Sequence, residues 1–138
     1  RCLIFMFQKE VANRIVSKKG SKEYGRLSIL SNWRLNIKKH FNISKNCFYP
    51  KPKIDSTLLS FTPKKENKFH LHNPKNLEIV TRILFSNRRK MINKSFKKLF
   101  NKKINMTKKI NIDLNKRPEE LDKNLFYELS VLYEKLFN

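Results

Sequence analysis

Glycine is nearly absent from this sequence, which limits the ligands that it can bind. Gly20 and Gly25 are the only glycines among 138 residues. A phosphate-binding loop of the G-x-G-x-x-G type needs three glycines at fixed spacing, because its backbone must approach the phosphates closely. The sequence therefore predicts no nucleotide or cofactor site within these residues.

Cysteine and long apolar runs are also scarce. Cys2 and Cys47 are too few for a disulfide framework, so we expect reduced thiols in a cytoplasmic protein. No run of about 18 apolar residues occurs, which predicts no membrane span. No small-residue cleavage site follows the apolar residues 2–7, so they are not interpreted as a signal peptide.

Acidic residues are few, and the charge balance is the largest signal in the composition. The sequence has 32 Lys and Arg residues against 11 Asp and Glu residues, a net charge of +21. Such a chain favours polyanionic partners, with RNA or DNA first. An AT-rich genome would enrich lysine over arginine but would not by itself enrich lysine over glutamate. His40, His70 and His72 have no partner at ligand spacing, so no metal site is predicted.

The first 63 residues have the pattern of an α/β domain. The all-apolar residues 3–7 indicate a strand buried on both faces, as in a parallel sheet. The order of elements after it is typical of the closing part of an α/β sheet. The predicted elements are a strand at 3–7, helices at 8–16 and 26–33, and strands at 34–44 and 54–63.

The second half has the pattern of a small helical domain. Residues 64–73 are polar and are interpreted as a linker, and residues 74–138 as the helical domain. Ser86 and Asn87 predict a helix break and a new N-cap. Pro118 predicts the first position of a last helix. The predicted apolar positions are Leu77, Val80 and Leu84, then Met91, Ile92, Ser95, Phe96 and Leu99, and finally Leu121, Leu125, Leu129, Leu132 and Leu136.

A basic face follows the predicted break. Lys90, Lys94, Lys97 and Lys98 share one side of a helix by their spacing, and Arg89 flanks them. The face is either an ordinary solvated surface or a contact for nucleic-acid phosphates, which fix position without reading sequence.

Arg88 differs from this basic face, because its spacing places it toward the apolar side. Two roles stay open for it. One is a structural pairing with a carboxylate, and the other is a contact with RNA.

The stretch "NCFYPKPKIDSTLLSF" contains a stiff loop, here called the proline loop (residues 46–55). Pro50 and Pro52 fix the backbone and remove hydrogen-bond donors, so the loop is neither helix nor central strand. The loop presents Phe48. On spacing alone Phe48 is more often a hydrophobic plug, and the alternative is a platform that stacks a flipped base. Asp55 is interpreted as a turn residue rather than a catalyst.

Four segments now carry a resemblance to a known family. "NCFYPKPKIDS" is similar to the F-x-P-x-P-x-V-x-S segment of the rRNA adenine dimethyltransferases. The other three resemble the bacterial small-subunit branch of that family, and they lie in the right order along the chain. The resemblance implies the C-terminal part of a Rossmann-like, S-adenosylmethionine-dependent methyltransferase sheet followed by a small all-α domain. The three segments are "FMFQKEVANRIV" with "YGRLSILSNW", "ILFSNRRKMINKSF", and "LNKRPEELDKNLFYEL".

This resemblance implies an activity and roles for individual residues. The family dimethylates N6 of two adjacent adenosines near the 3′ end of 16S rRNA, using S-adenosylmethionine. Phe48 matches the phenylalanine that stacks the target adenine, and Pro50 and Pro52 form the scaffold of that loop. Arg88, Arg89 and the face of Lys90, Lys94, Lys97 and Lys98 then lie in the domain that engages rRNA.

The resemblance also implies what these residues lack. The family's glycine-rich loop, acidic ribose-binding residue and N-L-P-Y segment precede the point that matches residue 1. We therefore expect a C-terminal half that is inactive alone, with S-adenosylmethionine bound by a missing N-terminal half. The expected partner is 16S rRNA in the small-subunit precursor, bound by a monomer that contacts no membrane. The alternatives are a large-subunit rRNA adenine methyltransferase, a non-catalytic RNA-binding assembly factor, and a transcription factor derived from this fold.

Overall fold

The computed structural model describes all 138 residues and has a three-stranded sheet and five α-helices. The sheet order is β1-β3-β2, and both strand pairs are antiparallel. The elements are β1 (Leu3–Gln8), α1 (Lys9–Val16), α2 (Arg26–Asn32), β2 (Leu35–Ile43), β3 (Ser56–Pro63), α3 (Lys75–Leu84), α4 (Asn93–Phe100) and α5 (Lys123–Phe137), with 3-10 turns at Lys45–Cys47, Asn101–Lys109 and Pro118–Glu120.

The central strand β3 has the alternating pattern of a strand with one buried face. Thr57, Leu59 and Phe61 are buried, and the residues between them are half-buried. Leu59 and Phe61 pack against Ala12 and Ile15 of α1 and form a small core. The predicted helix α1 and the predicted strands β2 and β3 are thereby confirmed.

Within residues 1–138, β1 is neither buried on both faces nor part of a parallel sheet, contrary to the prediction. β1 is an antiparallel edge strand that pairs only with β3. Leu3, Ile4, Phe5 and Met6 are 49% to 60% exposed. Phe7 is the β1 side chain that packs, partly buried, against the small core. An apolar run indicates a strand, but it does not reveal how many elements cover that strand.

The loop between α1 and α2, here called the Gly20 loop (residues 17–25), is more ordered than its composition indicates. Gly20 has φ +86°, a conformation that glycine adopts without steric cost. Tyr24 is fully buried, although it lies between charged and glycine residues. The predicted loop and the helix α2 that follows it are confirmed.

The helical half contains most of the main core. Leu77, Val80 and Leu84 of α3 are buried as predicted. The break after α3 is confirmed, but Ser86 and Asn87 do not cap the next helix, since α4 begins at Asn93. The list of apolar positions around α4 is correct for Ile92, Ser95, Phe96 and Leu99 and wrong for Met91, which is 57% exposed.

The last helix begins later than predicted. Pro118 starts a separate 3-10 turn that ends at Glu120, and Leu121 has extended ψ of 135°. The α5 helix then begins at Lys123, where the Asp122 carboxylate accepts a hydrogen bond from the Asn124 amide at 3.3 Å. Aspartate is a favoured N-cap residue, so the helix starts after Asp122 and not at Pro118, where the sequence predicted it.

Two tyrosines join the helical half to the Gly20 loop and α2. The Tyr24 hydroxyl donates to the Leu121 carbonyl at 2.8 Å, and the Tyr127 hydroxyl donates to the Ile29 carbonyl at 2.6 Å. Burial raises the pKa of both hydroxyls, and the Asp122 carboxylate raises it further, so both are neutral donors.

The main core therefore includes Tyr24, Ile29 and Trp33 alongside the helical residues. The domain bounds 1–63, 64–73 and 74–138 stay a prediction. None of the helices is both long and apolar enough to span a bilayer.

Candidate RNA-binding and base-stacking site

The proline loop is anchored at its base. The Asp55 carboxylate accepts a hydrogen bond from the Lys45 amide at 2.9 Å, which closes the loop on itself. The Asp55 carbonyl accepts from the Lys9 amide at 3.0 Å, which ties the loop to the start of α1. Asp55 is thus a turn residue, as its position in the sequence indicated.

Phe48 lies in this anchored loop with extended backbone, φ −118° and ψ 148°. Its ring is half-buried and belongs to neither hydrophobic core. The next residue, Tyr49, is 101% exposed, and Pro50 and Pro52 restrict the backbone that follows. Phe48 is therefore not a plug of either core, and its role in base stacking stays a prediction.

A polar cleft of about 610 Å³ lies between the proline loop, the Gly20 loop and α1. Ile54 is the one apolar residue that lines it. Arg14 and Glu10 form an ion pair across 2.8 Å within α1. Sequence reasoning missed this cleft, because its charged residues come from three separate segments without a shared motif. The cations that line the cleft are Lys9, Arg14, Lys22, Lys45 and Lys53, and the carboxylates are those of Glu10, Glu23 and Asp55.

The predicted basic face divides between α4 and the turn before it. Lys94, Lys97 and Lys98 are exposed on α4, while Phe96 and Leu99 are buried in the core. Arg89 and Lys90 lie in the turn that precedes Asn93, so they are beside the helix rather than on it. None of these five cationic side chains forms a hydrogen bond or an ion pair within the protein. Their charges are therefore available to a partner.

A groove of about 430 Å³ brings Arg89, Lys90 and Lys94 together with Arg117. No acidic residue lines it, and exposed Met91 forms part of its wall. Sequence reasoning missed Arg117, which is 23 residues from Lys94 and follows no visible motif with it. Four cations without a carboxylate among them make the groove a site of concentrated positive charge, which attracts polyanions.

Arg88 points away from this groove and into the protein. Its Nε lies 3.2 Å from Glu119 Oε2, which confirms the predicted pairing with a carboxylate. Its Nη2 donates to the Lys22 carbonyl. A contact between Arg88 and RNA stays a prediction.

The cleft beside the proline loop does not fit an S-adenosylmethionine site. It is polar and has only Ile54 as an apolar wall, whereas the adenine of a bound cofactor needs apolar contacts. The two glycines are in one loop, where Gly20 donates its amide to the Glu119 carbonyl at 2.8 Å. No methyl-transfer step is therefore derived from residues 1–138.

These features define an α/β chain with a rigid aromatic loop and a surface rich in unpaired cations. The sequence model of the family described as "Ribosomal RNA adenine dimethylase" matches residues 1–135. The chain belongs to this family, and the predicted resemblance and the α/β fold class are confirmed.

Relatives from bacteria carry the name "Ribosomal RNA small subunit methyltransferase A". The one from Pelagibacter ubique is 53% identical over 134 residues, which are 97% of this chain and 51% of the relative. One from Buchnera aphidicola subsp. Schizaphis graminum is 40% identical, with the same two coverages. The chain spans about half the length of the curated relatives that it matches.

Solved structures agree on the fold. A crystal structure of a dimethyladenosine transferase from Plasmodium falciparum matches with a TM-score of 0.74 and 27% identity, over 97% of this chain and 56% of that chain. The 23S rRNA methyltransferase ErmE matches with a TM-score of 0.51 and 14% identity over 97% of this chain and 55% of that chain, which shows the fold alone.

Proposed function

We propose that this chain is the base-stacking and rRNA-binding part of an enzyme that dimethylates N6 of two adjacent adenosines near the 3′ end of 16S rRNA. One observation carries the proposal. Phe48 lies outside both cores on a loop that Asp55 anchors, next to a cleft that five cations line. Family membership supplies the substrate class, and S-adenosylmethionine, bound outside residues 1–138, supplies the methyl groups.

In this proposal Phe48 holds the target adenine after the base has left its stack in the RNA. Base–aromatic stacking contributes about 1–3 kcal/mol per base. Pro50, Pro52 and the Asp55 contacts restrict the backbone of the loop that presents the ring, so little backbone entropy is lost when the base arrives. A positioned base reacts faster because its approach to the methyl donor no longer depends on diffusion.

The unpaired cations hold the RNA backbone. Arg89, Lys90 and Lys94 meet in the groove with Arg117, and Lys97 and Lys98 continue the surface along α4. Contacts of this kind position the RNA without reading its sequence. The proposed partner is 16S rRNA in the small-subunit precursor, bound in the cytoplasm by a monomer.

A chimera tests the proposal directly. Residues 1–138 are joined to the N-terminal half of the Pelagibacter relative, and methylation of undermethylated small subunits is followed by mass spectrometry of dimethyladenosine. Phe48→Ala is expected to lower the rate about 5- to 150-fold, since about 1–3 kcal/mol of stacking is lost. Tyr49→Ala is the matched control, because this neighbouring ring is fully exposed and is expected to be neutral.

A non-catalytic RNA-binding assembly factor is the second candidate. It is supported by the unpaired cations of the groove, which would bind RNA whether or not a reaction follows. The same chimera separates the two functions. A chimera that binds small subunits but forms no dimethyladenosine would support the assembly factor and refute the enzyme.

A further inference from the structure

The Gly20 loop is held by the helical half of the chain rather than by the sheet. The Gly20 amide donates to the Glu119 carbonyl at 2.8 Å. The Arg88 guanidinium donates to the Lys22 carbonyl and lies 3.5 Å from the Ser21 carbonyl. These contacts cross from residues 20–22 to residues 88 and 119, so they tie the loop to the helical half.

Arg88 is the centre of this arrangement. Its Nε pairs with Glu119 Oε2 at 3.2 Å, while its Nη2 reaches the loop carbonyls. A Cβ added to Gly25 would lie 3.4 Å from Arg88 Nη1, so the guanidinium also lies close against the end of the loop. The planar fork of arginine can contact a carboxylate and carbonyls at once, whereas the single ammonium of lysine cannot span both.

The loop and the Arg88 segment each lead to one of the two cationic sites. Lys22, whose carbonyl Arg88 holds, lines the polar cleft beside the proline loop. Arg89 and Lys90, which follow Arg88 directly, line the groove. Arg88 and Glu119 therefore lie between the two sites. Arg88 holds the backbone of Lys22, which lines the cleft, and is followed directly by Arg89 and Lys90, which line the groove.

We propose that Arg88 and Glu119 are positioning residues that set the spacing between the cations of the cleft and those of the groove. The proposal rests on the proposed function and extends it, since it takes the cations of the cleft, like those of the groove, as contacts for RNA phosphates. When the loop is already ordered before RNA binds, binding does not cost the conformational entropy of ordering it. Arg88 then strengthens RNA binding through the loop, without touching a phosphate.

Glu119 separates this role from a direct contact. If Arg88 touched RNA, Glu119→Ala would free its guanidinium and remove a negative charge, so RNA would bind more tightly. If Arg88 is a positioning residue, Glu119→Ala loosens the loop and RNA binds more weakly. The two roles thus predict opposite signs for one substitution.

The first measurement uses no RNA. The 138-residue chain is treated briefly with trypsin, and cleavage after Lys18, Lys19 and Lys22 in the Gly20 loop is timed by mass spectrometry. Arg88→Ala and Glu119→Ala are each expected to speed cleavage about fivefold, which corresponds to about 1 kcal/mol of easier loop opening. Arg89→Ala is the matched control and is expected to leave the rate unchanged, since its side chain makes no bond within the protein. Equal cleavage rates in all four proteins would overturn the proposal.

The second measurement uses an RNA hairpin from the 3′ end of 16S rRNA. Glu119→Ala and Arg88→Ala are each expected to weaken binding about fivefold, and thermal melts confirm that each variant is folded. Binding that is unchanged or tighter in Glu119→Ala would overturn the positioning role. If the unaltered chain does not bind this RNA, the proposed function fails on its own, and the trypsin rates still decide whether Arg88 and Glu119 hold the loop.

Discussion

Removing one buried hydroxyl is expected to weaken the junction between the helical half and α2. The Tyr127 hydroxyl donates to the Ile29 carbonyl at 2.6 Å, and both residues are buried. Ile29 lies in the last turn of α2, where helix carbonyls lack partners within the helix. Tyr127→Phe keeps the ring and leaves this carbonyl without its donor.

The expected loss follows from the burial of the carbonyl. A buried acceptor left without its partner costs about 1–3 kcal/mol. For a chain of this length each kcal/mol lowers the melting temperature by about 4 °C, so we expect a decrease of about 4–12 °C. The assay is urea unfolding followed by circular dichroism, together with a thermal melt.

Tyr133→Phe is the matched control for this prediction. Tyr133 lies on the same helix, and its hydroxyl makes no hydrogen bond within the protein. The same loss of one oxygen should therefore change the free energy of unfolding by less than about 0.5 kcal/mol. Equal effects of Tyr127→Phe and Tyr133→Phe would refute the reasoning, since the contact with Ile29 would then contribute nothing.

The remaining predictions concern pH, salt and catalysis. Burial raises the pKa of Tyr127, so the contribution of its hydroxyl to the free energy of unfolding is complete below about pH 10 and is lost as pH rises above that value. Between pH 9 and 12, the Tyr127→Phe chain should therefore lose less stability than the unaltered chain. Urea titrations across this range measure the difference. Hydrogen bonds from the Asn73 and His72 amides lower the pKa of Glu134, so Glu134→Gln should be less stable than the unaltered chain at pH 7, and the difference should disappear as pH falls below about 4. Added NaCl up to about 0.2 M should raise the melting temperature of this +21 chain by screening self-repulsion, and a decrease would contradict that view. Residues 1–138 alone should transfer no methyl groups, and label from radioactive S-adenosylmethionine in 16S rRNA would contradict this expectation.

Local periodicity was sufficient to predict most of the elements. Leu77, Val80 and Leu84 recur at helical spacing and are buried in α3. The predicted strand at 54–63 contains β3 (Ser56–Pro63), whose buried and half-buried residues alternate and which is central in the sheet. Such patterns can be read from the sequence because the spacing of residues along a helix or strand decides which face each side chain occupies.

Contacts between distant residues could not be predicted in the same way. Arg117 joins Lys94 in one groove, and Glu134 accepts hydrogen bonds from the amides of His72 and Asn73. The segments of Arg117 and Lys94 meet where the Ile92 amide donates to the Lys116 carbonyl at 2.9 Å, and Glu134 reaches its partners because α5 packs on α3. No local pattern encodes either contact. The exposure of β1 was missed for the same reason, because an apolar run does not specify which elements cover it.

The use of the few carboxylates explains why so much positive charge is left for a partner. Only two ion pairs form, Arg14 with Glu10 and Arg88 with Glu119, although the chain has 32 Lys and Arg residues. Other carboxylates accept hydrogen bonds from backbone amides at loop bases and helix starts, so they hold the backbone instead of neutralising cations. The side chains that do so are Asp55, Asp113, Glu120, Asp122 and Glu134. The cations of the groove and the α4 face therefore keep their charge without a carboxylate partner within the protein, and this is the electrostatic basis for proposing RNA as the partner of both.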